Sequence, residues 1–72
     1  MKHTSLLIGE SRDHVAITDE RDCLPPDTIR TESRIFAGHD DVMNCARAYE
    51  KRGFKVSVQY ADKEYFSSET RA

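Results

Sequence analysis

The most regular pattern of hydrophobic and polar positions in the chain follows Gly38. Apolar residues recur there at helical spacing, and they are Val42, Cys45, Ala46 and Tyr49. An i, i+3, i+4, i+7 repeat places such side chains on one stripe of an α-helix. Asp40 is a suitable N-cap, and Gly53 suits the left-handed position that often follows a helix. The sequence therefore predicts a helix over residues 40–52.

Apolar and polar residues alternate strictly just after this predicted helix, over residues 54–60. Such alternation is typical of a half-buried β-strand. Before the helix, residues 28–37 alternate less cleanly, which predicts an edge strand or a strand that extends past the core. In this earlier strand we expect Ile35 to point into the core. The opposite face is expected to carry Arg30, Glu32, Arg34 and Phe36.

The N-terminal third has the pattern of a hairpin, with strands over residues 4–8 and 14–18 joined by a polar turn. Residues 19–27 are acidic and contain two adjacent prolines, which predicts an exposed loop because proline cannot continue a central strand. Near the C-terminus, a turn over residues 61–63 followed by Tyr65 and Phe66 allows a short fifth strand. We expect a single domain over residues 1–66 and a flexible tail over 67–72.

These elements predict an α+β fold, a two-layer sandwich with the order β-β-β-α-β. One helix would pack on one face of a mostly antiparallel sheet, with the third and fourth strands parallel through a right-handed crossover. The expected core is Leu6, Ile8, Val15, Ile17, Ile35, Val42, Cys45, Ala46, Tyr49, Val56 and Val58. No second helix is predicted to cover the far face of the sheet, which is therefore a candidate contact surface or a face left to water.

Composition narrows the class of protein. With 72 residues, the chain is too short to enclose a deep substrate cleft in one copy. Its net charge of −2 is divided unevenly, with −3 over residues 1–27, +2 over 28–61 and −1 over 62–72. Two cysteines, no signal-peptide pattern and no apolar run of membrane-spanning length favour free thiols and a cytoplasmic location.

Catalytic, metal and cofactor chemistry finds little support in the sequence. Cys45 and His39 are the nearest nucleophile and base, but their spacing on the predicted helix does not bring them together. Neither these residues nor His3 and His14 form the spaced quartets of a zinc site. The three glycines are isolated, so no phosphate-binding loop is present. We expect no enzyme activity, no metal and no cofactor.

The class of function that remains is a protein that acts by binding another macromolecule. No stretch carries a family motif, but in size, polarity and lack of catalytic residues the chain is similar to small accessory proteins of bacteriophages and mobile elements, such as anti-CRISPR proteins. This similarity implies an inhibitor that blocks a site on a larger host protein. The expected anchors are arginine and aromatic residues, and acidic loop residues would speed the encounter with a basic target. The predicted contacts are Arg30, Arg34, Phe36, Tyr60, Asp19, Glu20 and Asp22.

Two other functions stay open at this stage. Arg30, Arg34, Arg47 and Lys51 would serve a small nucleic-acid-binding regulator, although the weak overall charge argues against one. A homodimeric interaction domain is the other alternative, since a small domain gains stability by pairing through a sheet edge or face.

Overall fold

The computed structural model describes residues 3–61 and 63–67, with the backbone alone for 63–67. Within these residues the chain forms five strands, one α-helix and a short 3₁₀ helix at Arg21–Cys23. In chain order the strands and helix are β1 (Thr4–Glu10), β2 (His14–Thr18), β3 (Arg30–Phe36), α1 (His39–Lys51), β4 (Lys55–Tyr60) and β5 (Lys63–Ser67). The predicted α+β fold is confirmed, with one helix packed against a mixed sheet. Of the predicted tail, Ser67 belongs to β5, and residues 68–72 lie outside the described residues.

The strands form one sheet in the order β3-β1-β2-β4-β5. β2 and β4 are parallel, and the other three neighbouring pairs are antiparallel. β3 and β4 run in the same direction, as predicted, but they are not neighbours. The β1–β2 hairpin lies between them, so α1 crosses over two strands to connect β3, at the edge, with β4. β3 is therefore an edge strand.

The hydrophobic core lies between α1 and one face of the sheet. Its buried residues are Leu6, Ile8, Val15, Ile17, Phe36, Val42, Ala46, Val56 and Val58. Cys45 and Tyr49, expected in the core, are only partly buried at its margin. The burial of β4 and the middle of α1 follows the predicted periodicity, because each has one continuous apolar face. In β1 and β2 the predicted core residues are also buried, but residues on the opposite face of β2 are buried as well.

The predicted faces of β3 are wrong. Ile35 is 68% exposed, whereas Phe36 is 1% exposed and belongs to the core. Phe36 pairs with Thr4 of β1 and lies just before the connection to α1, so its ring is covered by the helix side of the molecule. Neighbouring residues of a strand point to opposite faces. Placing Phe36 inside therefore puts Ile35 outside, and it brings Arg30, Glu32 and Arg34 to the same side of the sheet as α1.

The helix begins one residue earlier than predicted, with Gly38 as the N-cap. Asp40 is therefore not the N-cap and lies in the first turn of the helix. Instead, Asp41 Oδ2 accepts a hydrogen bond of 2.9 Å from the Ala37 backbone N–H, which fixes the chain as it enters α1. After the helix, Gly53 adopts a φ of +100°, so the predicted left-handed stop is confirmed.

The far face of the sheet is partly covered by the chain itself, contrary to expectation. Leu24 lies on Gly9, since its Cδ2 atom is only 2.6 Å from the place that a Cβ at Gly9 would occupy. Ala16, which pairs with Gly9, and Thr18 are both buried on this face. Gly9 lacks a side chain, so it leaves a depression that Leu24 fills. The loop over 19–29 is thus not wholly exposed, and the centre of the far face is not a free surface.

Candidate binding surface beside the edge strand

β3 is the most exposed strand whose side chains are described. Its first six residues are exposed and only Phe36 is buried. Since α1 packs mainly over the middle of the sheet, a groove remains between the helix and β3. We call it the edge groove; its volume is about 410 Å³. It is lined by Arg34, Phe36, Asp41, Asn44, Cys45, Ala48, Tyr49 and Arg52.

Arg34 is held across the floor of the edge groove by contacts on two sides. Its Nε and Nη2 atoms donate to Glu32 Oε2 at 3.2 and 3.1 Å. Its Nη1 donates to the Cys45 sulfur at 3.4 Å. The hydrogen bond with Glu32 is the main reason that the pKa of Arg34 is raised. An exposed ion pair of this kind adds little stability, but it orients the guanidinium toward the groove.

The Cys45 thiol is not activated as a nucleophile. Partial burial raises its pKa, and the nearby Arg34 guanidinium only partly opposes this effect. A thiol with a raised pKa stays protonated at neutral pH, and the thiolate is the reactive form. Burial likewise raises the pKa of the Tyr49 hydroxyl. Both groups can therefore donate hydrogen bonds within the groove, and neither is prepared for acid–base or covalent chemistry.

Arg52 forms the cationic end of the groove. Its guanidinium carbon lies 5.3 Å from the centre of the Tyr49 ring and 5.4 Å from that of Phe54. The two rings meet edge to face, with centres 5.8 Å apart. These distances are in the range of cation–π contacts. Arg52 is not among the contacts predicted from the sequence. The i, i+3 spacing from Tyr49 to Arg52 was the signal that could have identified this contact.

The predicted anchor residues do not form one surface. Arg34 lines the edge groove, and Arg30 lies along the same strand with its Nη1 4.0 Å from Glu10 Oε1. Phe36 is a correction, because it is buried beneath the groove rather than exposed on the far face. Tyr60 is partly buried against the core, and its hydroxyl lies 2.7 Å from His39 Nδ1.

The acidic residues predicted to guide a partner have different surroundings. Asp19 Oδ2 accepts a hydrogen bond of 2.9 Å from the Ala61 backbone N–H, so this carboxylate ties the loop to the turn after β4. Ala61 has a φ of +55°, which is uncommon for a residue with a side chain. Glu20 and Asp22 are exposed. Asp19 is exposed as well, so all three carboxylates keep their charge toward solvent, and only Asp19 is fixed in place by a hydrogen bond.

The four cations of the nucleic-acid alternative fall into two groups. Arg30 and Arg34 lie on β3, and each has a carboxylate neighbour. Arg47 and Lys51 are exposed on α1, but neither lines the edge groove. Of the four, only Arg34 lines the edge groove.

Both cysteines are free, with Cys23 exposed. Among residues 3–61, no group of three or more histidine, cysteine, aspartate or glutamate side chains is arranged to hold a metal ion. In the described part of the chain, no helix has the length and apolar character needed to cross a bilayer.

Comparisons with known proteins provide no family for the chain. No protein-family model matches it, and neither the curated proteins nor the solved structures include a significant match.

Proposed function

We propose that this is a small protein-binding module that uses the edge groove to dock on a larger protein. In this proposal it inhibits or assists that protein, as anti-CRISPR proteins and other phage accessory proteins do. The proposal rests on two arginines that line the groove and are already held in place, one across its floor and one at its end. Arg34 is fixed by Glu32 and Cys45, and Arg52 rests on two aromatic rings.

Preorganised arginines favour binding because less side-chain freedom is lost when a partner docks. Arginine and tyrosine are also the residue types that most often dominate interface energies. The groove offers both residue types, in Arg34, Arg52 and the partly buried Tyr49. A partner segment would be complementary to the groove if it carried a carboxylate that pairs with Arg52. It would also need an apolar side chain that packs against Tyr49 and Cys45.

The acidic N-terminal third has a separate role in this proposal. Exposed Glu20 and Asp22 lie in the loop before β3 and attract a basic region of the partner over longer distances. Such charges change the rate of association more than the final affinity. We place the protein in the cytoplasm, since its two free cysteines suit a reducing compartment.

The experiment compares two charge reversals on the same helix side of the molecule. Tagged wild-type protein captures its partner from the source cells, and the purified partner is then titrated with Arg52→Glu and Arg47→Glu. Only Arg52 lines the groove. We expect Arg52→Glu to weaken binding by tenfold or more, on the order of 1.4 kcal/mol. Arg47→Glu is the matched control and should change affinity by less than about twofold. Equal losses for both variants would contradict the groove as the contact surface.

Nucleic-acid binding is the second candidate, because Arg30 and Arg34 lie on the helix side of the sheet with Arg52 rather than on the far face. It is tested by titrating fluorescent single- and double-stranded DNA and RNA at low salt. Binding through phosphates loses affinity steeply as salt increases. In that case Arg47→Glu and Arg52→Glu would each weaken the binding, whereas a protein-binding module shows no such association.

A further inference from the structure

The outer edge of β3 has no neighbouring strand among the described residues, since β3 pairs only with β1. An exposed edge presents unpaired backbone N–H and C=O groups, which can pair with another chain. Among residues 3–61, two large hydrophobic side chains stand out as exposed, and both lie on or next to this edge strand. Ile29 is 77% exposed and Ile35 is 68% exposed. A partner that adds a strand here would satisfy the backbone groups and cover both isoleucines.

We propose that the partner at this edge is a second copy of the chain. The two β3 strands pair antiparallel around a two-fold axis at Ser33, the central residue of Arg30–Phe36. In this register all seven residues of β3 face a residue of the other β3. Ser33 faces Ser33 of the second copy, and Arg30 faces Phe36 of the second copy. The pairing itself does not depend on the proposed function.

Charge complementarity selects this register. Around Ser33, Glu32 of each copy lies directly opposite Arg34 of the other, and both side chains point to the helix side. Two salt bridges between copies can then replace the one within each strand, where Arg34 Nη2 lies 3.1 Å from Glu32 Oε2. Opposite charges across an antiparallel pair are favourable, and like charges are not.

The neighbouring registers are less suitable. An axis at Glu32 places the two Glu32 carboxylates against each other and sets Arg30 against Arg34. An axis at Thr31 leaves only residues 30–32 of β3 paired with β3 residues. The charges of an edge strand normally prevent association. Here the order of charges permits one symmetric pairing over the full strand.

The far face gains apolar contacts in the same register. Ile35 lies opposite Thr31 of the second copy and diagonal to its Ile29. Diagonal neighbours in an antiparallel pair are about 7–8 Å apart, which is within reach of long side chains. The pairing therefore shields both of the exposed isoleucines, although they are six positions apart in the sequence.

The dimer joins two five-stranded sheets into one, with both helices on the same side. The two edge grooves then lie next to each other over a common floor of two β3 strands. If the proposed function is correct, a partner meets this joined groove, bounded by an α1 helix on each side. That use of the dimer, unlike the pairing, rests on the proposed function.

The test reverses each charge of the Glu32–Arg34 pair separately and then asks whether mixing the two variants restores association. Sedimentation velocity over a range of concentrations is measured for the wild type, Glu32→Arg and Arg34→Glu. Each variant places like charges at both symmetric pairs, so we expect self-association to weaken roughly tenfold or more.

In an equimolar mixture of the two variants, the native Glu32 of one copy faces the native Arg34 of the other. The arginine introduced at position 32 likewise faces the glutamate introduced at position 34. The mixture should therefore form a 1:1 heterodimer. Circular dichroism and thermal unfolding check that each variant is folded.

Two controls test the register. Arg30→Gln removes a cation that has no charged residue opposite it around Ser33, so self-association should stay within about twofold of the wild type. In a Cys23→Ser background, Ser33→Cys should form a disulfide between copies under mild oxidation, because the two positions face each other. Thr31→Cys, on the same face of the same strand, should not. Stronger self-association of Arg34→Glu would instead show an axis at Glu32.

A wild-type protein that stays monomeric at every concentration, or variants that fail to associate on mixing, would overturn the proposal. These outcomes are separate from those for the edge groove. Arg52→Glu is expected to leave self-association unchanged while it weakens partner binding, because Arg52 lies at the end of α1 and not at the β3 edge.

Discussion

Ile35 and Phe36 divide between solvent and core although both are large and apolar. Alternation along β3 shows that they point to opposite faces, but it does not show which face lies under the helix. One face carries Ile29 and Ile35 with only Thr31 and Ser33 between them, and by composition it is the more apolar face. The other face carries three charged residues and ends in Phe36, yet it is this face that lies under the helix. The short connection from Phe36 to α1 determines which face of β3 is buried, because it places the aromatic ring under the helix. Residue-level burial in β3 was therefore not predictable from periodicity alone.

This division predicts very different costs for truncating the two residues. Phe36→Ala should lower the free energy of unfolding by about 3–5 kcal/mol, since it leaves a cavity in the core. Ile35→Ala should change it by less than about 0.5 kcal/mol, because the side chain is exposed. Urea unfolding in dilute solution, where self-association contributes least, provides the measurement. Similar losses for both variants would contradict the observed faces.

The raised pKa of the Cys45 thiol predicts that the free energy of unfolding depends on pH in the alkaline range. Burial raises its folded-state pKa above the ordinary thiol value of 9.0. Above that value the unfolded state releases this proton first, so the thiol stabilises the fold at lower pH and loses its contribution as the pH rises toward its folded pKa. Cys45→Ala should therefore flatten the decline in unfolding free energy above about pH 9. Cys23→Ala is the matched control, since Cys23 is exposed. An equal effect of both substitutions would contradict this account.

At the scale of elements, the strands and the helix follow the sequence closely. The predicted helix over 40–52 is observed as His39–Lys51, and the strand over 54–60 as Lys55–Tyr60. Each has one uninterrupted apolar face, which makes periodicity informative. The loop over 19–29 was not predicted to cover the sheet. Its contact uses one leucine and one glycine that are distant in sequence, and such a pair leaves no periodic signal.

The contact between Gly9 and Leu24 can be tested by a double-mutant cycle. Gly9→Ala places a methyl group where Leu24 lies, so it should displace the loop and lower stability by about 1 kcal/mol. In a Leu24→Ala background the same change should cost much less, because the clash is absent. Chemical denaturation of the four proteins gives the coupling energy. Additive effects would show that Leu24 does not rest on Gly9.

At the scale of the whole molecule, the layers were predictable but the order of strands was not. Alternation identifies a strand and its buried face, yet it does not specify neighbours within the sheet. The insertion of the β1–β2 hairpin between β3 and β4 leaves β3 at an edge, and the candidate surface depends on this placement. For the same reason Arg34 could be chosen from the sequence as a candidate contact, whereas the groove that it lines with Tyr49 and Arg52 could not be predicted.

Residue-resolved amide hydrogen exchange, measured at low and high protein concentration, tests the role of the β3 edge most directly. In dilute solution the β3 amides that point away from β1 should exchange rapidly, while those of the central strand β2 stay protected. At high concentration the same β3 amides should become protected, with no change in β2. Exchange in β3 that does not depend on concentration, or new protection confined to β4 and β5, would contradict the account.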